Sequence, residues 1–245
     1  MIDAATDHQA DGLRAYVPQT TPFTCGPAAG LMALRLAGVP TTTCWIDELR
    51  IWREANSIFM GKGQAGCEPD GLAAALARRG ACVRLWERET TGLFDAWTRS
   101  PDARLILGEL READRAEAAK AGVERLDAPF SRQILDKHLS EGWVPVVLAR
   151  DGRTLHWVTV RKIEDGRVEV LDPYVTGAPR DRQAAPKIYS LSAADVLRFF
   201  THRRGKAHAI IFIRNQEPFF PGFSLENQSN TGSVDPLRQR SGPST

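Results

Sequence analysis

Cys25 is followed by Gly26-Pro27 and then by an apolar run, Ala28 to Ala37, that closes at Gly38. Proline just inside and glycine just beyond are the marks of a helix's two ends. The spacing therefore predicts a helix with a thiol at its head. A thiol is a nucleophile once it has lost its proton. The positive end of the helix dipole and the free N–H groups of the first turn favour the anion that results. Gly26 leaves the backbone beside the thiol open to an approaching substrate. Taken alone, Cys25 also reads as a small buried apolar residue that happens to precede a helix.

Upstream lies Pro18-Gln19-Thr20-Thr21-Pro22. Acyl transfer to a thiolate passes through a tetrahedral oxyanion, which needs hydrogen-bond donors set in advance. The Gln19 carboxamide can supply one and the backbone N–H of Cys25 another, with the two prolines stiffening the loop. His156 opens the apolar run Leu155 to Val160 just after a turn, where a base would face a cleft from a rigid element. Of the other four histidines, His8 falls in the N-terminal leader, His138 beside Lys137 on a polar helix face, and His202 in a basic turn. His208, at the start of the last strand, is the rival. Asp172 follows the run Val168 to Leu171 and precedes Pro173. Its carboxylate can accept from an imidazole, fix the ring's tautomer and stabilise the imidazolium. Singly, a strand histidine reads as structural and an aspartate before proline as a turn residue. Together, Gln19, Cys25, His156 and Asp172 fill every role of a cysteine acyl-transfer site.

The elements that must bring these residues together divide into two halves. The first half reads as helical: the run after Cys25, a second helix over about 44–55, and a third over about 70–79 that ends at Gly80. Residues 81–86 read as a short strand. In the second half a helix over about 131–140 precedes strands over 143–149, 156–160, 167–171, 187–191 and 207–213, with a short helix from Ser192. Pro145 argues for an edge strand or an early turn. The turn Glu164-Asp165-Gly166 joins two strands as a hairpin, which returns the chain so that His156 and Asp172 share one end of the sheet. Helices first and mainly antiparallel strands later predict an α+β fold, a helical N-terminal half packed on a C-terminal antiparallel sheet.

Gln-x5-Cys-Gly-Pro-Ala, then His-Trp-Val-Thr-Val and Leu-Asp-Pro far downstream, is similar to the papain-like cysteine peptidases that trim bacteriocin leader peptides after a double glycine. The resemblance covers about Tyr16 to Arg214. It implies a papain-like fold, with Cys25 as nucleophile, His156 as base, Asp172 orienting that base and Gln19 as oxyanion donor. In exporters such domains precede an ABC transporter; without one, the chain looks like a stand-alone bacterial relative. The segment from about Gly92 to Pro129, with its charged run Gly108 to Arg115, departs from that pattern and reads as an insert. The expected organisation is a flexible leader over 1–13, a peptidase domain over 14–214 and a mostly disordered tail over 215–245.

The remaining features set bounds. Thirty-two basic against 30 acidic residues give a net charge of +2, which points to neither nucleic acid nor an anionic membrane. No apolar run is long enough to cross a bilayer, and the polar, acidic start is no signal peptide. A reducing, cytoplasmic setting with four free thiols is expected. No cysteine pair has zinc-site spacing, and no cofactor or metal is implied. The glycine-rich stretch Gly61 to Asp70 lacks the Gly-Lys-Ser/Thr order of a phosphate loop. It reads as a loop bordering the cleft, placing Gly66 with Gly26 and Trp157 among the candidate substrate-binding residues; Trp157 can also wall the site from water. The expected partner is a peptide or protein substrate. Two alternatives stay open: an acyltransferase that resolves the same thioester with an amine, and a non-catalytic domain that only binds a leader peptide.

Overall fold

The computed structural model describes residues 12–42, 44–56, 65–87, 100–128, 131–151, 154–174, 185–192, 195 and 209–216. Residues 1–11 of the expected leader, residues 61–64 of the glycine-rich loop, nearly all of the helix expected after Ser192, residues 217–245 of the expected tail, and His8, His202 and His208 fall outside these residues.

Among the described residues the main helices are α1 (Cys25–Leu36), α2 (Trp45–Ala55), α3 (Pro69–Ala77), α4 (Pro101–Lys120) and α5 (Arg132–Ser140). The strands are β1 (Ala81–Glu87), β2 (Glu124–Leu126), β3 (Val144–Asp151), β4 (Thr154–Glu164), β5 (Arg167–Asp172), β6 (Lys187–Ser192) and β7 (Ala209–Asn215). Among the described residues they form one sheet in the order β2-β1-β7-β3-β4-β5-β6. The fold is α+β, with a helical N-terminal half and a strand-rich C-terminal half, consistent with a papain-like architecture. A short helical turn over 12–15 leads into the extended segment before α1.

The sheet is mixed rather than purely antiparallel. β2 runs parallel to β1, while every other pairing is antiparallel. Parallel neighbours need a long crossover, and the segment read as an insert supplies it as α4. Ser100 caps that helix by accepting from the Ala103 N–H, and Pro101 occupies its first position. The charged run is the outer part of α4, whose buried residues are Ala103, Leu107 and Ala118. The helix is tied to the head of α3 by Arg111, which meets the Glu68 carboxylate at 3.3 Å. Arg125 of β2 bridges Asp70 and Glu87.

Pro145 does not mark an edge: β3 lies between β7 and β4. The proline is tolerated because pairing with β4 begins one residue later, at Val146, so the missing N–H falls at the start of the strand.

Both faces of the sheet are covered. α1 is buried from Cys25 to Leu34 and packs against α3, where Gly30 approaches so closely that a Cβ would stand 2.7 Å from Leu76. Along β7, Ala209, Ile211 and Ile213 join this helical core, while Ile210 and Phe212 join a second core on the opposite face, roofed by α5. That alternation is the period of two of a strand buried on both sides. His138, expected on a polar helix face, belongs to the second core. It is buried, hydrogen-bonds through Nδ1 to the Ile134 carbonyl at 2.8 Å and stacks on Phe212 at 4.0 Å. Its position one turn beyond Ile134 puts it on the apolar side of α5. No helix among the described residues is long and apolar enough to cross a membrane.

Candidate active site

Cys25 is the first residue of α1 and is buried. Thr24 stands at the N-cap, yet its side chain makes no cap hydrogen bond. The hydroxyl turns back instead to Thr21, whose backbone N–H it accepts at 3.2 Å. The N–H groups of the first turn thus keep their donors without a side-chain cap, beside the thiol.

Two contacts fix β4 against the helical half. Thr159 donates its hydroxyl to the Ala29 carbonyl at 2.8 Å, and the Trp157 indole N–H donates to the Cys67 carbonyl at 3.2 Å. Gly26 sits between them. A Cβ there would lie 3.0 Å from the Trp157 ring, 3.2 Å from Leu72 and 3.3 Å from the Cys67 Cβ. The space its side chain would take is therefore filled by core groups. Trp157 is wholly buried and acts as a strut between the helical half and the sheet. Gly66, half-buried, accepts from the Asn56 carboxamide through its carbonyl at 3.3 Å.

The β4–β5 hairpin delivers the other two residues. The His156 Nε2–H donates to Asp172 Oδ1 at 2.7 Å. This alignment depends on an irregularity. From the turn upward the register is Glu164 with Arg167, Ile163 with Val168 and Lys162 with Glu169; it then shifts, and Val160 faces Val170. Arg161 is the extra residue of a β-bulge. Without it Asp172 would stand opposite Thr159, on the Trp157 side of the hairpin. With it Asp172 stands opposite Val158, on the side that His156 shares.

The Asp172 carboxylate is buried and heavily partnered. Oδ1 also accepts from the Tyr174 backbone N–H at 2.9 Å, and Oδ2 meets the Lys187 ammonium at 2.6 Å. Burial alone would raise its pKa, but the His156 ring, Lys187 and the Tyr174 N–H outweigh that and hold it below the usual range. Burial likewise pulls His156 down. The hydrogen bond with Asp172, followed by interaction with the Cys25 thiol, more than reverses this and raises the ring to about 9. With Nε2 committed to Asp172, Nδ1 is the nitrogen left for the thiol. The nearby Cys67 thiol is pushed well up, chiefly by burial and then by Cys25 and Glu68.

Gln19 is buried in the segment that ties the two halves together. Its backbone N–H donates to the Pro173 carbonyl at 2.9 Å, directly after Asp172. Its side-chain Nε2 donates to Thr21 O at 2.7 Å, and Oε1 is buried without a partner. Two further residues hold this loop. Glu48 of α2 accepts from the Thr20 N–H at 2.8 Å, and Tyr16 donates its hydroxyl to the Asp172 carbonyl at 2.8 Å. Neither these two nor Lys187 was selected by sequence reasoning. Glu48 lies in the first turn of α2 and Lys187 opens β6, positions that carry no signal of a site in the sequence.

Among the described residues, no cluster of three or more His, Cys, Asp or Glu side chains is arranged to hold a metal ion. The convergent set is instead a thiol at a helix head, an imidazole–carboxylate pair from a hairpin and a carboxamide on a clamped loop. That set can form an ion pair between thiol and ring and can surround an acyl group with donors. No curated protein matches the chain by sequence. A family model described as the Peptidase_C39 like family matches residues 14–214. That match takes in all of α1 through β6 and nearly all of β7, and the chain accordingly belongs to that family.

Proposed function

We propose that this protein is a cysteine peptidase that cleaves a peptide or isopeptide bond through a thioester on Cys25. The observation that carries the reading is the 2.7 Å bond from His156 to Asp172 on a strand docked against the helix that Cys25 heads. The family to which the chain belongs supports a peptidase theme.

In this reading the Cys25 sulfur attacks the scissile carbonyl carbon, and the carbonyl electrons move onto oxygen. The Cys25 backbone N–H and a Gln19 amide N–H stabilise that oxyanion. The C–N bond then breaks, the His156 imidazolium gives its proton to the departing amine, and a thioester remains. His156 next takes a proton from water, the hydroxide attacks the thioester carbon, and the C–S bond breaks to release a carboxylic acid. Asp172 keeps the ring in the tautomer and orientation for both transfers. Gly26 and Trp157 pack together beside this centre, and in this reading they hold the helix that Cys25 heads against β4. Attack by an amine in place of water would make the enzyme a transferase, and loss of both steps would leave a leader-binding domain.

The test traps the thiol and follows turnover together. A thiol-directed electrophile labels Cys25 faster than exposed Cys44, and the wild type cuts members of a proteome-derived peptide library while Cys25→Ala cuts none. Gln19→Ala lowers kcat by about 10²–10³. Mass spectrometry with and without added amine separates hydrolysis from transfer. A library left uncut, with Cys25 labelled no faster than Cys44, would remove the enzyme reading.

A further inference from the structure

The Asp172 carboxylate binds two cations rather than one. Oδ1 takes the His156 ring at 2.7 Å and Oδ2 takes the Lys187 ammonium at 2.6 Å. The three side chains span the boundary of the fold: 13% of His156, 4% of Asp172 and 45% of Lys187 is accessible. Lys187 comes from the first position of β6, an edge strand, where its backbone pairs with Asp172 itself. Its ammonium lies 5.3 Å from the face of Tyr174 and 5.9 Å from that of Tyr189. A cation between two aromatic faces and a carboxylate oxygen is held in place. Tyr174 meets the His156 ring edge-on at 6.3 Å, so one aromatic side chain touches both cations.

We propose that Lys187 is a positioning residue of this site: it holds the second oxygen of Asp172 and keeps that carboxylate from serving the His156 ring as an exclusive counter-ion. The inference deepens the peptidase reading and rests on it. An imidazolium that must give up its proton at each turnover is better served by a shared carboxylate than by one that binds it alone. The groups facing the ring and its partner are Cys25 from α1, Asp172 from β5, Lys187 from β6, and Tyr16 and Tyr174 from the flanking segments. Of these, Lys187 is the one cation besides the ring. Its effect on the ring passes through Asp172 and, being half in water, is moderated by solvent.

The test is an NMR titration of the His156 ring in the full chain labelled with ¹³C,¹⁵N-histidine, its signal assigned with a His156→Gln variant. Removing the competing charge in Lys187→Met should move the ring's midpoint up by about 0.5–1 pH unit, as for unit charges roughly 6 Å apart in a solvent-rich medium. Lys187→Arg, which keeps the charge, should restore the wild-type midpoint. Higher salt should raise the wild-type midpoint and leave Lys187→Met almost unmoved. Lys187→Gln gives the same reading if the methionine variant folds poorly. A midpoint that is unchanged or lower in Lys187→Met overturns the proposal, as does an arginine variant that behaves like methionine. The titration uses no substrate, so it is decided separately from turnover. Failure to cut any peptide would sink the peptidase reading without altering the ring's response.

Discussion

At the residue scale, the protonation of His156 is coupled to folding. Its pKa rises from 6.5 to about 9 on folding, burial being outweighed by Asp172 and Cys25. A group raised in this way contributes stability that is fully present below pH 6.5 and is lost as pH climbs through 9. Denaturant unfolding of wild type and His156→Gln should therefore differ by up to about 3 kcal/mol below pH 6.5, with the gap closing by pH 10. A gap independent of pH would mean that the ring is not held as an imidazolium. The nearness of His156 to Asp172 was legible in the sequence, because a hairpin returns the chain to its starting end. Lys187 was not legible, since it enters only through its pairing with β5, and register across an edge strand leaves little trace in one sequence. Gly26 shows another limit. A glycine beside a thiol reads as an opening for substrate, but its empty side is taken by Trp157, Leu72 and Cys67, contacts from distant segments.

At the scale of elements, the α3–α4 junction is the place where sequence and structure differ most. The charged run Gly108 to Arg115 reads as part of an insert, yet Arg111 reaches Glu68 at the head of α3. Ser100-Pro101 is a usable start signal for this helix; the long polar stretch behind it hides the buried stripe of Ala103, Leu107 and Ala118. Burial raises the Glu68 carboxyl to about 7, with Arg111 offsetting part of the rise. By the same linkage its contribution is fully present below pH 4.5 and is lost as pH rises through 7. Glu68→Gln should remove a loss of about 3 kcal/mol over that interval, seen as a flatter plot of unfolding free energy against pH. An unchanged slope would place the Glu68 carboxyl in water. Helices α1 and α3 were readable from the prolines in their first turns and the glycines beyond their ends, and strands β4 and β5 from the turn dipeptide between them.

At the scale of the whole molecule, the thiol-bearing helix and the hairpin are joined by noncovalent links. Gln19 to Pro173, Tyr16 to Asp172, Thr159 to Ala29 and Trp157 to Cys67 are all hydrogen bonds between the two halves. All four cysteines are free. The melting temperature should accordingly be the same with and without a reducing agent, as calorimetry can check; a fall on reduction would reveal a crosslink. The class of the fold was legible from the order of helices and strands. The parallel β1–β2 edge was not, because the crossover that makes it was read as an insert.

The bulge at Arg161 sets a rule for how this hairpin can change. Because sides of a strand alternate, adding or removing a single residue within β4 or β5 between His156 and Asp172, with the turn and its pairing kept, would send ring and carboxylate to opposite surfaces, whereas a change of two would return them to one. Length variation inside the paired strands is therefore constrained by parity: an odd change there separates the pair even when the added or lost residue touches neither of them, while the turn itself is free to change length.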